Sequence, residues 1–184
     1  MTLRSDVAGL LAEAGIVDVD MDDAMADDHV RLAAYLRVVS VTAASPSRDR
    51  DRALVATILR DPDESAAKTA VVALVDEIAM GATGPAEFRQ WSAGVLPETG
   101  RLTVESFREF IRRRVHDWLL YLSVEDGHVP EPAELAAVTD WMQRHLAERS
   151  QSPEVLAVVA GAARTRKTRN IAANRAGSRR PRTQ

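Results

Sequence analysis

Apolar residues recur along this chain at intervals of three and four, and hardly anywhere at intervals of two. Over 63–80, Ala67, Ala70, Val71, Leu74 and Ile78 follow at steps of three, one, three and four, which gathers them on one helix face. Phe107, Ile111, Val115, Trp118 and Leu122 repeat the pattern within 103–123, and Leu135, Val138, Met142 and Leu146 form a third stripe. No run of about 4–8 residues alternates at period two between turn signals. The pattern predicts an all-α fold with little or no sheet.

Punctuation agrees with periodicity. Asp61-Pro62-Asp63-Glu64 combines a capping aspartate, a proline at the first helical position and an acid near the donor-rich helix end. The device returns at Gly84-Pro85-Ala86-Glu87, Glu131-Pro132-Ala133-Glu134 and Ser152-Pro153-Glu154. Upstream, a short helix is expected over 3–14, an acidic connector after it, and a Leu/Val/Ala-rich helix over 28–44. Ser45-Pro46-Ser47 breaks that helix before a helical pattern resumes up to Arg60. The segment 59–79, LRDPDESAAKTAVVALVDEIA, resembles the second half of a HEAT-type repeat through Asp61, Pro62, Lys68, Ala73 and Leu74, with a fainter echo at 150–163. The fold expected is an irregular helical bundle or a short HEAT-like antiparallel helix array.

Composition adds a charge polarity. The 184 residues carry a net charge of −3, yet residues 1–30 hold eight acids against Arg4 alone, and residues 164–184 hold eight bases and no acid. These shifts suggest three parts: a short helix plus acidic connector over 1–30, an all-α helical domain over 31–163, and a basic, largely disordered tail over 164–184. With no cysteine, thiolate metal sites, disulfides and cysteine nucleophiles are excluded. No apolar stretch approaches the roughly 18–20 residues that span a bilayer, and no secretory hydrophobic region is evident at the amino terminus. The expectation is a cytoplasmic protein without membrane contact.

The chemical motifs are sparse. There is no phosphate-loop, dinucleotide or nucleophile-elbow signature; Gln90-Trp91-Ser92-Ala93-Gly94 lacks the first glycine of the elbow. Leu96-Pro97-Glu98-Thr99-Gly100 is identical to the sorting pentapeptide of Gram-positive surface proteins. It is followed by RLTVESFREF rather than an apolar segment, so it reads as a turn between helices. Glu125-Asp126-Gly127-His128 matches one half of a di-iron motif, without a second copy and with glycine at a helix end. Asp18, Asp20 and Asp22 imitate the opening of a calcium loop, but Asp23 stands where glycine is needed and His29 where the closing glutamate is needed. Arg112-Arg113-Arg114 reads as a solvated helix face, with Arg113 expected to pair with Glu109 and Asp117. Trp91, Trp118 and Trp141 are expected in the core or at helix contacts.

Neither a catalytic nor a metal or cofactor site is therefore expected. The leading function is a non-enzymatic scaffold or adaptor that engages a protein partner through its helix surface. The alternative is nucleic-acid association through the cationic tail, with Arg164, Arg166, Lys167, Arg169, Arg175, Arg179, Arg180 and Arg182 as contacts to a polyanion or an acidic partner.

Overall fold

The computed structural model describes residues 2–178, which form eleven α-helices, one 3-10 helix and no strand. They divide into two compact units, one of residues 2–82 with 87–115, the other of 83–86 with 116–178.

The first unit holds α1 (Leu3–Glu13), α2 (Met21–Ala26), α3 (Asp28–Ala44), α4 (Asp51–Ile58) and α5 (Glu64–Gly81). Most of α6 (Pro85–Val95), the 3-10 turn η1 (Leu96–Arg101) and the first half of α7 (Glu105–Glu125) complete it. Its axis is the α3–α5 pair. All five apolar positions of the 63–80 stripe are buried there. The acidic connector is not a bare loop: Asp20 caps α2 through its carboxylate, and Ala24 is fully buried. Val7, Leu10, Leu11 and Ile16 join the same core.

Helix α1 stops at Gly15, whose φ of 69° is open to glycine at little cost. Ile16 N–H reaches the Leu11 carbonyl and Gly15 N–H that of Ala12, a paired closure of the helix end. Gly127, at φ 98°, closes α7 in the same way, its neighbour His128 bonding to the Ser123 carbonyl.

Prolines open α6, α8 (Pro132–Ala137) and α10 (Pro153–Ala162) as expected. At Asp61-Pro62 the expectation fails by two residues: Asp63 caps α5, and Asp61 turns inward. There its carboxylate accepts from Arg31 Nε at 2.6 Å and from the Tyr35 hydroxyl at 2.8 Å, with Arg31, Tyr35 and Asp61 all buried. Arg31 takes this aspartate as its ion-pair partner, and a buried cation without a partner is far more costly than an uncapped turn.

The second unit contains the rest of α7, α8, α9 (Asp140–Arg149), α10 and α11 (Arg166–Ser178). The third stripe is buried but spans a helix break: Val138 ends α8 and Thr139 caps α9. Asp117, 2% exposed, holds that break by accepting from Thr139 N–H at 2.9 Å and from its hydroxyl. It is therefore not a surface partner of Arg113. Helix α11 occupies the first part of the tail as a helix separate from α10, because Thr168 and Ala172 are buried against α9 and α10.

Candidate functional site

Most of the residues with chemical potential are occupied by the fold. Of the calcium-like aspartates, Asp18 pairs with Arg37 at 2.6 Å, Asp20 caps α2, and Asp22 pairs with Arg4 at 2.7 Å. The Arg37 hydrogen bond holds Asp18 below the usual carboxylate range. Among the described residues, no group of three or more acids and histidines is arranged to hold a metal ion. His128 bonds to Glu134 at 2.9 Å, and Glu134 itself completes the capping box that opens α8. The pentapeptide forms η1, as a turn between helices: Thr99 is 1% exposed with its hydroxyl on the Leu96 carbonyl, and Glu98 bridges Arg52 and Arg101. Along α7, Arg112 reaches Glu105 and Glu109, and Arg114 pairs with Asp76 at 3.3 Å. Arg113 remains exposed.

The same holds for much of the cationic tail. Arg164 pairs with Asp140 at 2.8 Å and donates to the Ala136 and Val138 carbonyls, while its N–H donates to buried Gln143 at 2.8 Å. Arg169 donates to the Ala163 and Arg164 carbonyls, and Arg175 to the Ala147 carbonyl at 2.7 Å. These guanidinium groups neutralise orphan carbonyls at helix ends, where their charge also suits the helix dipole. Arg166 and Lys167 stand exposed in the first turn of α11. Arg179, Arg180 and Arg182 lie outside the described residues. Four of the eight acids of 1–30 find their cations inside the first unit: Asp6 on Arg60, Glu13 on Arg50, Asp18 on Arg37 and Asp22 on Arg4.

Two features of the described residues bear on binding. In the second unit, Trp141 is 41% exposed at a helix contact, in the first turn of α9 with its ring edge-to-face on Trp118 of α7 at 5.7 Å between centroids. Its ring stacks on His145 with centroids 5.3 Å apart and planes 17° from parallel, and His145 in turn contacts Tyr121 and buried Trp118.

The other feature is a cleft of about 320 Å³ in the first unit, walled by α1, α3, α4 and the loop before α4. Leu10, Ala14, Val38, Val41, Ala53 and Leu54 give it an apolar floor, and Thr42, Ser45, Ser47 and Thr57 supply hydroxyls. Glu13 and Arg50 form an ion pair of 3.8 Å at its border. Val41 is 47% exposed, an apolar side chain left to water in the middle of a helix face. The cleft brings together residues 10 to 57, so no local spacing announces it. The visible trace in the sequence is Val41, one turn on from buried Val38 on α3. A concave apolar surface with a few convergent polar groups is suited to binding. No protein-family model, curated protein or solved structure showed a match to this chain.

Proposed function

We propose that this chain is a non-catalytic helical adaptor, and that the α1/α3/α4 cleft receives an apolar segment of a protein partner. The observation that carries this reading is the exposed Val41 above a floor of Leu10, Val38 and Leu54, with hydroxyls and the paired charges of Glu13 and Arg50 around it. An amphipathic helix presents three or four apolar side chains at matching spacing, and such a groove takes them without burying an unpaired charge. The HEAT-like resemblance of 59–79 points to the same mode, since stacked helices serve as partner surfaces.

The test is a photo-crosslinking side chain placed at Ala53, an exposed position of the cleft, in native cells. A defined adduct is expected, lost in Val41→Glu and retained in Val17→Glu, a charge placed on a side chain 93% exposed elsewhere. Absence of an adduct, or equal loss in both variants, overturns the reading.

A second reading, nucleic-acid association, draws on Arg166 and Lys167, which are exposed and free of the carbonyl contacts that occupy Arg164, Arg169 and Arg175. Two phosphate contacts give a shallow dependence on salt. Binding of generic RNA or DNA that survives Arg166→Ala/Lys167→Ala would rule out these two as the contacts.

A further inference from the structure

Asp51 opens α4 with its side chain 1% exposed. Oδ2 accepts from the Trp91 indole N–H at 2.8 Å and lies 3.3 Å from the Arg48 guanidinium. Oδ1 is buried with no hydrogen-bond partner among the described residues. An anionic oxygen in that position forfeits its hydration without replacement, whereas a neutral carboxyl loses far less. Burial accordingly raises the proton affinity of Asp51, opposed by Trp91 and Arg48 and reinforced by Asp49. Those are the groups acting on it: Arg48 and Asp49 from the loop before α4, and from α6 the uncharged indole.

Arg48 links this carboxyl to the cleft. Its Nη2 donates to the carbonyls of Thr42 and Ser45, closing the end of α3, while Nη1 faces Asp51. Thr42, Ser45, Ser47 and Arg50 are lining residues of the cleft, so the segment 45–50 is one of its lips.

We propose that Asp51 is a proton-operated latch on this lip: neutral, it lets the lip close over it; ionised, it favours an opening that brings water to Oδ1. The sign follows from linkage. A carboxyl that binds protons more tightly in the closed state than in an opened, hydrated one favours closure in acid, and opening grows as pH rises from its free value towards its closed-state value. The latch acts on the cleft assigned above, so its functional meaning rests on that reading, although its existence does not.

The experiment is hydrogen exchange of the Ser47, Arg48, Asp49 and Arg50 amides between pH 4 and 8, corrected for intrinsic exchange, on the full chain. In the wild type, the opening constant is expected to rise up to tenfold per pH unit above 3.8, the ordinary aspartate value, and then level off. Asp51→Asn is expected to make it flat. Arg48→Gln removes a cation that favours ionisation, so the plateau is expected at higher pH. A flat wild-type profile, or an unchanged profile in Asp51→Asn, overturns the proposal. If Asp51→Asn does not fold, the Trp91 indole N–H resonance of the wild type decides: a titration midpoint above 3.8 supports the latch, and one at or below it refutes it. A titrating latch together with no adduct at the cleft would refute the cleft's role while leaving the latch intact.

Discussion

At the scale of single residues, stability concentrates in a few buried polar groups. The Arg31–Asp61–Tyr35 cluster places a cation, an anion and a hydroxyl in the core of the first unit, each satisfied by the others. Asp61→Ala strands Arg31 and is expected to cost about 3–5 kcal/mol in denaturant unfolding, whereas Tyr35→Phe removes one neutral donor and is expected to cost about 1 kcal/mol. Burial and the Asp61 bond push the Tyr35 hydroxyl far above its usual range, so it stays protonated wherever the fold persists. Glu64 shows the opposite sign. Hydrogen bonds from the Thr103 hydroxyl and the Val104 and Thr103 N–H groups hold its carboxyl below 4.5. Its contribution is therefore present above 4.5 and lost as pH falls through the lowered value, and Glu64→Gln is expected to flatten that part of the acid-unfolding curve.

At the scale of elements, helix boundaries were more legible than helix partners. Pro85, Pro132 and Pro153 start helices, and α3 spans Asp28–Ala44 as read from its apolar content, because caps and propensities act within a few residues. Asp61 misled for a physical reason: its use depends on Arg31, thirty residues away, which local spacing does not register. Helix α2 was hidden by its six-residue length within an acidic stretch. Helix α11 is signalled by Thr165, whose hydroxyl accepts from Thr168 N–H, and by the absence of Gly or Pro over 166–176. Its existence depends on burial, so Ala172→Asp is expected to cost roughly 3 kcal/mol and to strip hydrogen-exchange protection from 166–178. Gly15→Ala tests the end of α1 and is expected to cost about 1 kcal/mol, since its left-handed backbone disfavours a side chain.

For the molecule as a whole, the −7 of residues 1–30 and the +8 of residues 164–184 suggested two charged appendages, and packing gives another account. Half of the acids of 1–30 pair with arginines of their own unit, and much of the described tail closes helix ends in the other. Removal of residues 1–30 therefore strips Val7, Leu10, Leu11, Ile16 and Ala24 from a core. At about 1.5–3 kcal/mol for each large apolar side chain, a steep loss of thermal stability is expected. Among the described residues, no helix is long and apolar enough to cross a membrane. The cleft was illegible because its walls come from three helices. The pentapeptide of η1 has a use that follows from its confinement. With Thr99 sealed in and Glu98 bridged, a transpeptidase that recognises this pentapeptide can reach it only when the junction of α6 and α7 opens. The rate at which such an enzyme cuts the chain becomes a clock for breathing at that junction, wound by the sequence itself.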